Sequence, residues 1–214
     1  MPQLPEPGPS ERINLGDPTL PRSAATIILL RDSEHDGSLE VLMLRRSDKA
    51  RFMPNVWVFP GGALDPEDGE GLEGLATCAC RELAEESGIW LAPEAEVVTL
   101  ARWVTPEVIK TRFDTWFFIA EAPAGSVAVP DGRETTAERW LSPATALAEY
   151  EKQEFAIVFP TLKQLEALVP HPDTATALAA AKADPNSTRQ ILPKVIGDER
   201  NHRVVLPHED DYPG

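Results

Sequence analysis

Cysteine is nearly absent from this chain: 214 residues hold two, Cys78 and Cys80. Two positions apart on one helix they point in different directions and staple nothing, so a disulfide framework is excluded and a reducing compartment is expected. Histidine is scarce as well. His35, His171, His202 and His208 are scattered, with no zinc spacing and no nucleophile motif beside them. No apolar run approaches the length of a membrane span. The opening residues MPQLPEPGPSER lack the basic and apolar regions of a secretory signal, and Tyr212-Pro213-Gly214 is no peroxisomal address. The expectation is a cytoplasmic chain. Walker A, G-x-S-x-G and G-x-G-x-x-G patterns are missing, which disfavours kinase, serine-hydrolase and dehydrogenase chemistry. Positive charge is also in deficit: 20 Lys and Arg stand against 35 Asp and Glu, a formal net charge of −15. Such a surface repels nucleic-acid backbones and anionic membranes, and an anionic substrate would need a local basic patch or metal ions.

What is present is an ordinary globular composition, 42% hydrophobic and 26% charged, long enough for one well-buried domain with an appendage. Residues 1–22 hold six prolines and few large apolar groups, and read as a flexible arm. Residues 23–185 form the main body. Ser23 to Arg31 is a β-rich apolar run suited to a central strand, and Leu39 to Arg45 alternates as its hairpin partner. Val56 to Phe59 is a short strand feeding a Gly61-Gly62 turn. Glu96 to Thr105, Arg112 to Ala122 and Thr135 to Leu141 read as further strands. Ser142-Pro143 caps a helix through Tyr150. Pro160 to Val169 and Asp173 to Ala183 are two more helices, the second Ala-rich and marginal. In the tail, residues 186–214, Arg189 to Ile196 and Arg203 to Leu206 read as a hairpin around Gly197-Asp198, packing on the domain or on a second subunit.

Chemistry concentrates between Phe59 and Ile89. The second half of that stretch is helical, with Leu75, Ala76, Ala79, Cys80 and Leu83 at apolar period and Gly88 as its stop. On the other face Glu82, Glu85 and Glu86 fall within one turn. Like charges so placed repel at roughly 0.2–0.5 kcal/mol per pair, little enough for a plain solvated face. Pro60-Gly61-Gly62 beside Arg81 favours a site instead, because glycine lets backbone carbonyls approach an ion and hard oxygens suit magnesium or manganese. Before the glycines lie Arg45, Arg46, Lys49 and Arg51, four cations within seven residues of an acidic chain, best read as phosphate contacts. The acidic loop Asp65 to Gly71 lacks the ligand spacing of a calcium loop.

Arg81-Glu82-Leu83-Ala84-Glu85-Glu86-Ser87-Gly88-Ile89 resembles the second half of the Nudix box, G-x5-E-x7-R-E-U-x-E-E-x-G-U with U apolar. Glu73 stands at the required interval before Arg81. Ten residues separate Gly62 from Glu73 where the pattern has five, so Asp65 to Gly71 is read as carrying an insertion of about five residues. The resemblance implies an α/β fold, a Nudix-type α/β/α sandwich with a mixed, curved sheet, and metal-dependent hydrolysis of a nucleoside diphosphate linked to another group. It implies Glu82 and Glu86 as ligands of Mg2+ or Mn2+, Glu85 as third ligand or general base, and Gly61 as a carbonyl ligand. Arg81 would orient a helix carboxylate, and Gly62 would lie against substrate. Glu73, Glu134 and Glu138 are candidates for an additional acid. Homodimers are common in the family.

Val41-Leu-Met-Leu-Arg-Arg-Ser, Phe52-Met53-Pro54 and Val58-Phe-Pro-Gly-Gly resemble the acyl-CoA diphosphatase branch. So do Trp103-x-Thr105-Pro106, Arg112-Phe113-Asp114-Thr115-x-Phe117-Phe118 and the tail around Leu206-Pro207-His208-Glu209-Asp210-x-Tyr212. An insertion inside the box is a feature of that branch too. The reaction so implied releases 3′-phosphoadenylate and a 4′-phosphopantetheine product, with the basic loop facing the 3′-phosphate. ADP-ribose, NAD(H) or nucleotide-sugar hydrolysis is the alternative enzyme reading, and a nucleotide-binding sensor is the non-enzymatic one.

Overall fold

A computed structural model of the chain describes residues 14, 16–50, 53–197 and 202–213. Its centre is β1 (Arg22–Asp32), whose unbroken apolar run reflects burial on both faces: Ala25, Ile27 and Leu29 enter one core, Ile28 and Leu30 the other. Along one edge, residues Arg22 to Leu30 pair parallel with β6 (Phe113–Glu121). Beyond β6 come antiparallel β5 (Val98–Val104) and then β8 (Gln190–Ile191) in parallel, so the sheet is mixed.

The other edge of β1 is shared. Its C-terminal end pairs with β2 (Leu39–Arg46) at Leu30↔Val41, while Ala24 to Thr26 pair with β4 (Gly61–Ala63). β2 diverges from β1 and takes β3 (Trp57–Val58) at Leu44 and Arg45, with β7 (Thr135–Leu141) on its far edge. The sheet therefore forks, and the chain from Trp57 to Ala63 fills the opening.

Helix α1 (Gly71–Ser87) covers one face through Leu75, Cys78, Ala79 and Leu83 against Ile27, Leu29, Leu42 and Phe118. On the other face α2 (Pro143–Glu151), α3 (Phe159–Leu168) and α4 (Thr174–Ala183) pack on Ile28, Leu30, Val41 and Ile119. This is the expected α/β/α sandwich. Local signals behave as their chemistry requires. Ser142 Oγ accepts from Thr145 N at 3.1 Å, and Gly88, at φ 70°, closes α1 with its N–H on Ala84 O. α4 is less marginal than its composition suggests, because Ala177, Leu178 and Ala181 are buried and Asp173 caps Thr176 N.

Three features differ from the sequence reading. Gly61-Gly62 does not turn the chain but lies within β4. Glycine is required there by proximity. A Cβ on Gly61 would stand 2.6 Å from Ala25 O, and one on Gly62 would stand 2.2 Å from Glu82 Oε1. The loop after β4 contains a 3-10 turn, Pro66–Asp68. The apolar run 189–196 is split, because Pro193 has no N–H with which to continue a ladder. β8 joins the main sheet, and β9 (Lys194–Gly197) pairs with β10 (His202–Val205) as a separate ribbon. The arm expected over residues 1–22 falls largely outside the described residues. Its last part is tied down, with Thr19 Oγ1 donating to Lys110 O and Arg112 donating to Thr19 O. No helix among the described residues is long and apolar enough to cross a membrane.

The 3-10 turn packs on the first turn of α1, where a Cβ on Gly74 would meet the Gly69 carbonyl carbon at 2.5 Å. Backbone cannot step aside as a side chain does, so Gly74→Ala is expected to cost about 1–3 kcal/mol in urea unfolding. An unchanged midpoint would show that the turn is not held against the helix.

Candidate active site

The antiparallel register places main-chain groups of β4 toward α1. Ile27 N–H donates to Pro60 O and Leu64 N–H to Ser23 O, so residues 60, 62 and 64 face β1. Gly61 and Ala63 alternate with them and turn their N–H and C=O outward. Side chains from α1 meet those groups: Glu86 accepts from Gly61 N–H at 3.1 Å, and Arg81 donates to Ala63 O at 3.3 Å. Glu82, one turn before Glu86, stands over Gly62. A strand edge and a helix face thus converge with oxygen atoms from both.

Arg81 fixes this arrangement. Its guanidinium grips Asp68 with two bonds, Nε to Oδ1 at 2.8 Å and Nη2 to Oδ2 at 2.9 Å. The remaining nitrogen, Nη1, donates to Glu82 Oε1 at 2.9 Å and to Glu85 Oε2 at 3.2 Å. Asp68 was not singled out in the sequence, yet its side chain is only 2% exposed. The signal was there. Asp68 follows Gly62 after five residues, so the first interval of the box is intact if aspartate replaces glutamate, and the extra residues fall between Asp68 and Arg81. Glu73, by contrast, is exposed in the first turn of α1, and no ion pair joins it to Arg81 among the described residues.

The charges are unequal in their surroundings. The bidentate Arg81 partner holds the Asp68 carboxyl down at about 2. Burial raises Glu82 above the usual carboxylate range, although Arg81 opposes the shift. Burial pushes Glu86 furthest, to about 8, with the Gly61 N–H opposing and Glu82 adding to the rise. Burial also pushes the Cys78 thiol up to about 12, which makes it inert. Glu85 is the open member of the set, its side chain 59% exposed.

Two other expected residues act on the same carboxylates. Arg46 stabilises the charge of Glu86, while Glu134 opposes the charges of both Glu82 and Glu86. Glu134 is delivered by contacts distant in sequence: Ser47 N–H donates to Glu134 O, and Thr135 Oγ1 donates to Glu86 O at 2.9 Å. Asp131 fastens that loop by accepting from the N–H groups of Arg133, Glu134 and Thr135. Glu138 is exposed on β7 opposite Leu44, without a bond to α1 among the described residues. Arg45 is exposed and bonds Asn55 Oδ1, and Lys49 is exposed. Arg51 lies outside the described residues.

Among the described residues, no three His, Cys, Asp or Glu side chains stand together as a finished metal cage. The donor chemistry nevertheless fits a hydrated hard cation. Glu82 and Glu86 are poorly solvated carboxylates that repel each other beside backbone oxygens, and magnesium binds proteins through one or two carboxylates plus waters and substrate phosphates.

Comparison with known proteins yields one family model, described as the NUDIX domain, that matches residues 20–162. A Caenorhabditis elegans protein named putative nudix hydrolase 7 is 47% identical over 68 residues, 32% of this chain and 22% of that protein. An acyl-coenzyme A diphosphatase of Xenopus laevis is 25% identical over 225 residues, 60% of this chain and 59% of the relative. The chain thus spans less than two thirds of either curated relative. The crystal structure of a NUDIX hydrolase from Alicyclobacillus acidocaldarius superposes with a TM-score of 0.68 at 28% identity, covering 75% of this chain and 96% of that one.

Glu86 gives a stability test. Its folded-state pKa of about 8 lies above the ordinary 4.5, so the neutral group favours the fold below that ordinary value, and the contribution is lost as pH rises through 8. Without divalent ions, thermal midpoints of the wild type should therefore fall between pH 5 and 9 more than those of Glu86→Gln. Parallel curves would show that Glu86 is not held in a charge-averse site. Asp68→Asn should cost about 2–3 kcal/mol, somewhat below the usual 3–5 for breaking a buried pair because Arg81 keeps a quarter of its side chain exposed. Calorimetry or urea unfolding measures it.

Proposed function

The chain belongs to the Nudix family, and on that premise we propose that it hydrolyses the diphosphate joining a nucleoside to another group, with coenzyme A and acyl-CoA as the preferred substrates. The observation that carries the reading is the poorly solvated Glu82–Glu86 pair beside the outward-turned backbone of Gly61. Carboxylates kept out of water and close to one another are costly unless a cation joins them. Nudix hydrolases generally use divalent ions such as Mg2+ or Mn2+.

In the proposed reaction the oxygen of water forms a bond to one phosphorus, the P–O–P bridge breaks, and the departing phosphate keeps the electron pair. Glu82 and Glu86 would hold the ion together with the Gly61 carbonyl, and the ion would offset the negative charge that accumulates on phosphate oxygens. Arg81, anchored by Asp68, fixes the positions of Glu82 and Glu85 on the helix face. Gly61 N–H orients Glu86. Glu85 is solvent-accessible and one residue from Glu86, a suitable acceptor for the proton of the attacking water, with Glu134 as the competing candidate. Arg46, whose charge acts on Glu86, would meet a substrate phosphate.

The choice of coenzyme A is supported by the Xenopus laevis relative, named an acyl-coenzyme A diphosphatase, and by the basic loop before β3. A panel of CoA, acyl-CoA, ADP-ribose, NADH and UDP-glucose with Mg2+ or Mn2+ tests it. Release of 3′-phosphoadenylate from CoA should be fastest. Glu86→Gln should lower turnover at least ~100-fold, beyond the 10–100-fold usual for residues that only support a metal ligand. Arg46→Ala should raise KM for CoA more than for ADP-ribose. If CoA turns over no faster than ADP-ribose and Arg46→Ala affects neither, the CoA assignment is wrong. Nucleotide binding without product from any member would favour a sensor.

A further inference from the structure

The pairing of β2 with β7 is regular from Val41↔Leu141 to Arg45↔Ala137 and then slips, so that Arg46 meets Thr135 and β7 holds Thr136 as an extra residue. A bulge of this kind re-aims the side chains beyond it. Paired residues share a face of the sheet, and Leu42 and Leu44 of β2 lie on the α1 side. Strict alternation would put Thr136 on that side, opposite Arg46. The bulge puts Thr135 there instead, and burial agrees: Thr135 is 0% exposed, whereas Thr136 is exposed.

On that side Thr135 meets the C-terminal end of α1, where main-chain carbonyls have no partner within the helix. Its Oγ1 donates to Glu86 O at 2.9 Å, and Val129 N–H donates to Ser87 O at 2.7 Å. The loop from Val129 to Thr135 is thus fastened at both ends to the turn that carries Glu86. Between them Asp131 keeps the loop closed. Its Oδ1 accepts from the N–H groups of Arg133, Glu134 and Thr135, and it stands 3.1 Å from Thr135 Oγ1, so the hydroxyl proton is shared between Glu86 O and Asp131. Ser47 N–H, next after Arg46, donates to Glu134 O at 2.8 Å. One bulge therefore sets the main chain at Glu86 and the places of Glu134 and Arg46, whose opposite charges both act on Glu86.

We propose that Thr135, held by Asp131, is a positioning residue for the cation site: its hydroxyl locks the Glu86 main chain to the Glu134 loop, and the affinity of the Glu82–Glu86 pair for a divalent ion depends on that lock. The inference deepens the diphosphatase reading and rests on it for the presence of the ion. Thr135 and Asp131 act through Glu86 and Glu134, not on the reacting atoms.

The test titrates Mn2+ into the full chain without nucleotide and reads the free ion by electron paramagnetic resonance. Thr135→Val keeps the shape of the side chain but loses the donor. It should weaken Mn2+ binding roughly ten- to hundredfold, the range usual for groups that orient metal ligands. Asp131→Ala, at an exposed position in the loop, should weaken it too, and carries the test if the buried replacement does not fold. Thr135→Ser retains the hydroxyl and should bind Mn2+ as the wild type does. Thermal midpoints without the ion separate the roles, since a merely structural residue would lower the midpoint and leave Mn2+ affinity unchanged. In Thr135→Val, kcat for the diphosphate substrate should fall more than KM rises. The proposal is overturned if both Thr135→Val and Asp131→Ala bind Mn2+ as tightly as the wild type, if Thr135→Ser is as weak as Thr135→Val, or if the wild type takes up no Mn2+. Diphosphate turnover with unchanged Mn2+ affinity in the variants defeats the positioning role alone. Weakened Mn2+ binding in the variants, with no diphosphate turned over by the wild type, defeats the hydrolase reading and leaves the positioning role standing.

Discussion

The guanidinium of Arg81 is the contact on which the candidate site depends. It makes two bonds to the buried Asp68, one to the main chain of β4, one to the Cys78 sulfur and one each to Glu82 and Glu85. Bidentate pairing with a carboxylate is stiff as well as strong, because the planar fork admits one orientation. A helix face of three glutamates would otherwise relieve its repulsion by spreading into solvent. Here the repulsion is retained, and the acids stay where backbone oxygens face them.

The fork in the sheet supplies the other half of the geometry. If β1 and β2 paired along their whole length, no edge would be available to receive Gly61 and Ala63, and the outward main-chain groups of β4 would not exist. Divergence after Leu30↔Val41 leaves the edge of β1 at Ala24 to Thr26 for β4, which faces α1. The two glycines then permit contact distances that any side chain would forbid. The loop before β7 closes the arrangement from the far side. Thr135 bonds the carbonyl of Glu86, and Glu134 brings one more negative charge toward the same two carboxylates.

Local order was largely legible in the sequence. The apolar period of α1, the Gly88 stop, the double-sided apolar run of β1 and the Ser142-Pro143 cap depend on neighbours in the chain, and each gave an element where its chemistry indicated. Contacts made at a distance were not. Gly61-Gly62 reads as a turn until the approach of Glu82 supplies a different reason for glycine. Asp68 is obscured in the sequence by Glu73, which holds the expected interval before Arg81, although Asp68 holds the expected interval after Gly62. The placing of Glu134, and of Arg46 near Glu86, rests on β2–β7 pairing that no local pattern records. The break at Pro193 was visible, but its consequence, β8 joining β5, depends on the rest of the sheet being built.

The account turns on whether Glu82 and Glu86 hold a cation against a diphosphate. Crystals grown with Mn2+ and an uncleavable nucleoside diphosphate analogue address this directly through anomalous scattering. The expected result is a peak about 2 Å from oxygens of both carboxylates and within reach of the Gly61 carbonyl, with the diphosphate completing its shell. A diphosphate bound with its ion elsewhere, and with Glu82 and Glu86 outside the coordination shell, would contradict it.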